Sequence, residues 1–157
     1  MTMTITQSNN APTKAFRIAS VSALVIGTAS YLIGLFNAYM ELNEKGYYLT
    51  VMLLGLFAVV SLQKTIRDKM DGIDVTRAYF LACGVATVAA IALLIVGLYN
   101  AELALSEKGF FGMAFVLSMF AAITVQKNVR DCAEAKPETT TIQSTTSQVT
   151  TFVPEAE

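Results

Sequence analysis

The chain has 157 residues, of which 54% are hydrophobic and 15% charged, with a formal net charge of −1 and no histidine. The absence of histidine removes the commonest metal ligand and the commonest general base. A nearly neutral chain also lacks the basic footprint of a nucleic-acid-binding protein. We therefore expect no metal, no cofactor, no catalytic residues and no nucleic-acid partner.

Four long uncharged segments divide the chain and suggest membrane-spanning helices. They contain 23, 18, 24 and 18 residues and lie between Arg17 and Glu41, Lys45 and Lys64, Arg77 and Glu102, and Lys108 and Lys127. About 20 apolar residues cross the hydrocarbon core of a bilayer as a helix. The pattern predicts an all-α membrane protein with four transmembrane helices. The first segment is longer than the apolar region of a signal peptide and has no convincing cleavage site, so we expect a retained signal anchor.

Composition shifts predict five segments along the chain. They are a disordered N-terminal tail (1–13), a first two-helix repeat (14–70), a cytoplasmic linker (71–77), a second two-helix repeat (78–132) and a disordered C-terminal tail (133–157). The last segment is rich in Thr, Ser, Gln and Glu and has too few apolar residues to form a core.

The distribution of basic residues predicts the orientation. Nine of the eleven Lys and Arg residues lie at the start of the first predicted span, within or beside the central linker, and after the last predicted span, whereas the short connections carry Lys45 and Lys108 alone. The positive-inside rule then places both termini and the linker in the cytoplasm. The connections at 41–46 and 102–109 are predicted to be periplasmic, in a multi-pass protein of the bacterial inner membrane.

An internal repeat relates the two halves of the chain. Residues 34–68 align without gaps to residues 97–131, with 15 of 35 positions identical. The identities include Asn37/Asn100, a Glu-Lys-Gly triplet in each connection, and Gln-Lys-x-x-Arg-Asp near each end. Hydrophobicity alone cannot match polar residues in register. The chain is therefore predicted to contain two tandem helical hairpins of the same orientation, related by a pseudo-two-fold axis along the membrane normal.

The polar residues in register also carry a family resemblance. The stretches GLFNAYMELNEKGYY…SLQKTIRDK and GLYNAELALSEKGFFG…VQKNVRD resemble the YiaA/YiaB family of bacterial inner-membrane proteins, whose unit is the YiaAB two-helix domain. The resemblance covers roughly residues 16–131 as two tandem copies. It implies a small inner-membrane protein and no assigned reaction.

The hexamers NEKGYY at 43–48 and SEKGFF at 106–111 are the most distinctive motif. Asn43 and Ser106 are good N-caps, which would place Glu44 and Glu107 at the first helical position. Alternatively each hexamer is a tight turn with a glycine of positive φ, and the second helix starts at the aromatic pair. The aromatic residues suit a membrane interface. The structural interpretations explain the repeated Glu-Lys pair poorly, so an interaction site stays open as an alternative to a structural role.

The first helices end near an asparagine in both repeats. A polar amide there needs a partner or water, and a hydrogen bond across the hairpin or to its repeat mate is the economical interpretation. If the two asparagines meet near the pseudo-axis, they form a polar mouth with the neighbouring acidic residues. The candidate periplasmic-rim interaction site then comprises Asn37, Glu41, Glu44, Lys45, Asn100, Glu102, Glu107 and Lys108.

The second helices end in a basic motif that also permits two interpretations. Lys64, Arg67, Lys127 and Arg130 suit helix C-termini and enforce orientation, and Lys64/Asp68 form an i,i+4 pair. The alternative is a contact with anionic lipid headgroups.

Ionisable residues are absent from the middle of every predicted span, which argues against proton-coupled transport and intramembrane acid–base chemistry. We expect a non-enzymatic protein with a structural or partner-binding role in the cell envelope. It is embedded in the lipid bilayer, and its candidate partners are further copies of itself, in a homo-oligomer, or an envelope protein. A small oligomeric transporter or channel is the alternative.

Overall fold

The computed structural model describes residues 12–134, so nearly all of both predicted tails lies outside the described residues. Four helices account for most of this range: α1 (Lys14–Asn37), α2 (Leu42–Met70), α3 (Arg77–Asn100) and α4 (Leu105–Glu134). The shortest of them has 24 residues, which at about 1.5 Å per residue reaches across a hydrocarbon core of about 30 Å. Each helix is long and apolar enough to cross a membrane. The predicted four-helix, all-α fold is confirmed.

The helices pair between repeats rather than within them. Helix α1 packs along α4 and α2 packs along α3, while α2 and α4 meet in the centre of the bundle. The two helices of one hairpin, α1 with α2 or α3 with α4, contact each other only slightly. Exchanging the two repeats leaves this pattern unchanged, as a pseudo-two-fold relationship requires.

An aromatic cluster forms the core where the repeats meet. The Tyr48 and Phe111 rings, at the same position of the two repeats, stack with centroids 6.1 Å apart. Tyr31 packs edge-on against Phe111 at 5.4 Å, and its hydroxyl donates a 3.0 Å hydrogen bond to the Tyr48 carbonyl oxygen. Because the buried phenol has a partner, its burial adds apolar contact without leaving an unsatisfied donor.

One glycine in each first helix admits the aromatic pair of the other repeat. A Cβ atom built on Gly34 would lie 2.7 Å from a Phe110 ring carbon, and one on Gly97 would lie 2.7 Å from a Tyr47 ring carbon. A side chain at either position would force the facing ring to shift, so glycine permits this close approach of ring to backbone. The identity of Gly34 and Gly97 in the sequence repeat therefore has a reciprocal packing cause.

The α2–α3 connection is short and held to α4. Gly72 has φ of 76°, a conformation that favours glycine. The Arg130 Nη2 donates to Asp71 Oδ2 at 2.7 Å, and Arg67 Nε lies 3.9 Å from the same oxygen. The hydrogen bond from Arg130 is the main cause that lowers the Asp71 pKa from its usual value.

Candidate functional site

The α1–α2 and α3–α4 connections lie at the same end of the bundle, here termed the hairpin end. The hexamers of these connections begin inside α2 and α4. Helices α2 and α4 start at Leu42 and Leu105, before Asn43 and Ser106. The N-cap of α2 is Glu41, two residues before Asn43, and Ser106 is already the second residue of α4, so both predicted N-caps are wrong. The alternative tight turn is also wrong, since within residues 12–134 the positive-φ glycine is Gly72 alone.

The repeated glutamates cap the helices that contain them. The Glu44 Oε2 accepts a 3.1 Å hydrogen bond from the Glu41 backbone N–H. The Glu107 Oε2 accepts one of 2.9 Å from the Ala104 backbone N–H. Each carboxylate thus reaches back three residues to an N–H at the helix start, where negative charge also suits the helix dipole.

The repeated lysines cap the preceding helices. The Lys45 Nζ donates to the Phe36 carbonyl oxygen at 3.0 Å, and the Lys108 Nζ donates to the Tyr99 carbonyl oxygen at 3.3 Å. Both carbonyls belong to the last turn of α1 or α3, where carbonyl groups lack helical partners and a cation is favoured. We call each Glu-Lys pair a clasp, because it joins the end of one helix to the start of the next.

The two asparagines bond within their own helices. The Asn37 Nδ2 donates to the Ile33 carbonyl oxygen at 2.7 Å, and the Asn100 Nδ2 donates to the Val96 carbonyl oxygen at 2.9 Å. The prediction that these amide groups donate across the hairpin or to each other is therefore wrong. Each amide instead uses a carbonyl group one turn earlier.

A cleft at the hairpin end brings both asparagines to one surface. It has a volume of about 890 Å³. Six of the eight candidate rim residues line it: Asn37, Glu41, Glu44, Lys45, Asn100 and Glu102. Glu107 and Lys108 are not among its lining residues. The cleft holds three carboxylates and one lysine, so its charge is net negative, and Phe36, Tyr39, Met40 and Leu103 add apolar surface.

The predicted interfacial aromatics occupy two environments. Tyr48 and Phe111 are buried in the core, whereas Tyr47 and Phe110 are partly exposed against the glycines of the other repeat. The buried pair contacts the protein core, and a position of these aromatics at the membrane interface stays a prediction. The largely exposed tyrosines at this end are Tyr39 and Tyr99, which sequence reasoning missed although each lies within two residues of a helix-ending asparagine.

Comparison with known proteins agrees with this architecture. The yiaA/B two helix domain model matches residues 16–68 and 79–131, one copy per hairpin. The chain belongs to the YiaA/B family. It is an inner-membrane protein with four candidate spans and tandem copies of the family domain.

Two relatives are similar to this chain over different lengths. Inner membrane protein YiaA of Escherichia coli is 54% identical over 128 residues, which cover 82% of this chain and 88% of that protein. Uncharacterized membrane protein YubF of Bacillus subtilis is 40% identical over 60 residues, or 38% of this chain and 69% of that protein. No solved structure matches the chain significantly.

At the opposite end of the bundle, the basic motif of each YiaA/B repeat forms an ion pair near the end of its helix. The Lys64 Nζ lies 2.8 Å from Asp68 Oδ2, and the Lys127 Nζ lies 2.9 Å from Asp131 Oδ2. The predicted i,i+4 pair is confirmed, and its counterpart in the second repeat matches it. Both lysine side chains are more than half exposed, while Arg67 and Arg130 converge on Asp71. Contact of these four residues with lipid headgroups stays a prediction.

Two buried polar contacts between the YiaA/B repeats were missed. The Asn128 Nδ2 donates to Ser20 Oγ at 2.8 Å, joining α4 to α1. The Thr65 Oγ1 lies 3.9 Å from Cys83 Sγ, joining α2 to α3. The two contacts occupy equivalent positions, since 63 residues separate Ser20 from Cys83 and Thr65 from Asn128, as they separate the two domain matches. A polar residue one place after Lys64 and Lys127 was the available signal.

Proposed function

We propose that this protein is a non-enzymatic component of the inner membrane that binds an envelope partner through the cleft at its hairpin end. The observation that carries the proposal is the cleft itself, which gathers polar residues of both repeats on one surface. The absence of histidine and of ionisable residues in the middle of the spans supports a binding role over a catalytic one.

The clasps narrow the part of the cleft that is available to a partner. Glu44 and Lys45 already bond backbone groups, so the repeated Glu-Lys pair has a structural role. Glu41 and Glu102 are not repeated, because their equivalents in the other repeat are Ala104 and Tyr39. The negative charge of the cleft favours a neutral or cationic contact surface on the partner.

The basic residues support one orientation of the cleft. Nine of eleven Lys and Arg residues lie away from the short connections, which supports cytoplasmic termini and a periplasmic cleft. A single cysteine at Glu102, in a chain with Cys83 and Cys132 replaced by serine, is expected to react with a membrane-impermeant maleimide in intact spheroplasts. Reaction only after lysis would overturn this orientation.

Crosslinking in cells tests the binding role. A photo-reactive amino acid at Glu102 is expected to capture a discrete envelope protein. The same probe at Glu107, which belongs to a clasp but does not line the cleft, is the matched control. Equal capture at both positions, or adducts of this chain with itself alone at Glu102, would contradict the proposal.

The alternative of an oligomeric transporter receives less support from the bundle. Tyr31, Phe115 and Leu35 are almost fully buried where the helices meet, so the core of one chain is filled with side chains. A pathway would therefore have to form between copies of the chain. Solute flux in proteoliposomes at a rate that depends on protein assembly would favour this alternative.

A further inference from the structure

The two inter-repeat interfaces join equivalent helices but carry different residues. The constant offset of 63 residues relates the α1–α4 interface to the α3–α2 interface. The buried positions that differ between the repeats include Ser20/Cys83, Gly27/Ala90, Gly55/Ser118 and Thr65/Asn128.

A steric match operates where α1 crosses α4. A Cβ atom on Gly27 would lie 2.7 Å from Ser118 Oγ and 3.1 Å from the Ser118 backbone nitrogen. The equivalent of Gly27 on α3 is Ala90, which is 0% exposed, and the equivalent of Ser118 on α2 is Gly55. The 63-residue offset thus assigns Ala90 and Gly55 as the corresponding pair between α3 and α2, with the glycine on the opposite helix. A Cβ atom on Gly55 itself would meet Phe115 and Met119 of α4.

A polar match accompanies it nearer the α2–α3 connection. The long Asn128 side chain reaches the short Ser20 hydroxyl on α1, whereas the shorter Thr65 lies beside the Cys83 thiol on α3. Both Asn128 and Thr65 are buried. A buried amide that loses its hydroxyl partner retains the cost of its desolvation.

Pairing of like units would disrupt the steric match, and in one of the two pairings the polar match as well. If α4 packed against an α3-type helix, Ala90 would meet Ser118 at the distance where a Cβ atom collides, and Asn128 would face a thiol. If α1 packed against an α2-type helix, Gly27 would face Gly55 and leave a gap. Close-packed interfaces penalise both extra volume and empty space.

We propose that the two repeats are complementary, unlike halves: each presents a pairing surface that fits a two-helix unit of the other type and disfavours a unit of its own type. The specificity lies in Ser20, Gly27, Ser118 and Asn128 on one interface, and in their counterparts on the other. Such matching combines favourable contacts in the correct pair with collisions in the wrong one. It directs each repeat to the other repeat rather than to an identical repeat of a second copy.

A four-way comparison of full-length variants tests this matching. Ser20→Cys with Gly27→Ala converts α1 to the α3 type and creates a like pair with α4. Ser118→Gly with Asn128→Thr converts α4 to the α2 type, and all four substitutions together restore an unlike pair with the order reversed. Thermal unfolding in detergent and yield in the membrane fraction are the two readouts.

The first double variant is expected to lower the melting temperature by about 5 °C or more, or to reduce membrane yield several-fold. The quadruple variant is expected to regain most of that loss, although the Ser118→Gly substitution by itself weakens the helix. Gly84→Ala is the matched control, because a Cβ atom there meets nothing within 4 Å. The proposal is overturned if the four substitutions combine additively, with no recovery in either readout, or if Gly84→Ala is as disruptive as the first double variant.

Discussion

Lys45 donates a hydrogen bond from its Nζ to the carbonyl oxygen of Phe36, 3.0 Å away and nine residues earlier. The contact crosses the connection between α1 and α2 and satisfies a carbonyl group in the last turn of α1. Lys108 and Tyr99 repeat it in the second hairpin. Two helices that scarcely pack against each other are thus joined at their ends by the clasp rather than along their length.

Replacing the lysine of a clasp is expected to lower the stability of the protein slightly. Lys45→Met should lower the free energy of unfolding by about 0.5–1 kcal/mol, because the bond is charge-assisted but lies on the exposed surface. Lys108→Met should act similarly, and the two effects should add because the clasps are separate. Unfolding in a denaturing detergent titration measures the change.

Lys14→Met is the control for loss of a lysine charge, since Lys14 lies at the start of α1, away from both clasps. An effect of Lys14→Met equal to that of Lys45→Met would argue that net charge, and not the clasp, determines the loss.

The glycines of the family motif divide into two classes with opposite expected responses. Gly34→Leu or Gly97→Leu should destabilise the bundle by about 1–3 kcal/mol, because the added side chain collides with the ring of Phe110 or Tyr47. Gly46→Ala and Gly109→Ala should be neutral or stabilising by up to about 1 kcal/mol, since both positions are helical and open. Thermal unfolding in one detergent compares the four variants. Equal destabilisation in both classes would be inconsistent with the inter-repeat packing of the aromatics.

The sequence predicts the number of spans, the repeat and its symmetry, because these depend on apolar length and on polar residues in register. It does not predict which helices pair. The short connections suggest that α1 packs beside α2. Instead, Gly34 contacts Phe110 and Gly97 contacts Tyr47, so the helices of one repeat pack against those of the other. Residue types at one position, such as Tyr47, indicate neither the direction of the side chain nor its partner.

The sequence predicts the location of the candidate rim site but not the role of each residue in it. Residues near the ends of successive helices gather at one end of a bundle, so Asn37, Glu41, Asn100 and Glu102 were found together. The roles of Glu44 and Lys45 were not, since capping depends on the residue at which a helix begins. A shift of two residues in that start changes Glu44 from the first helical position to one that reaches back to Glu41.

The packing of α2 against α3 also predicts that an engineered disulfide can form between these two helices. In a Cys132→Ser background, Thr65→Cys places a second thiol beside Cys83, since Thr65 Oγ1 lies 3.9 Å from Cys83 Sγ. Mild oxidation should join α2 to α3 within one chain and alter its mobility on a non-reducing gel, without forming dimers. Lys64→Cys, one residue earlier and more than half exposed, is the control. Efficient crosslinking of the control, or none with Thr65→Cys, would contradict the α2–α3 pairing.

The linker contact should make stability depend on pH in the acid range. Arg130 lowers the pKa of Asp71 below its ordinary value of 3.8 by hydrogen bonding to the carboxylate. A carboxyl group whose pKa is lower in the folded state stabilises that state above its unfolded pKa, and this contribution is lost as the pH falls through the folded pKa. The difference in stability between the wild type and Asp71→Asn should therefore be full at pH 6 and should shrink progressively below about pH 4. Asp74→Asn, in the same connection, controls for loss of a linker charge. A difference that stays constant from pH 6 to pH 3 would show that ionisation of Asp71 does not hold the linker to α4.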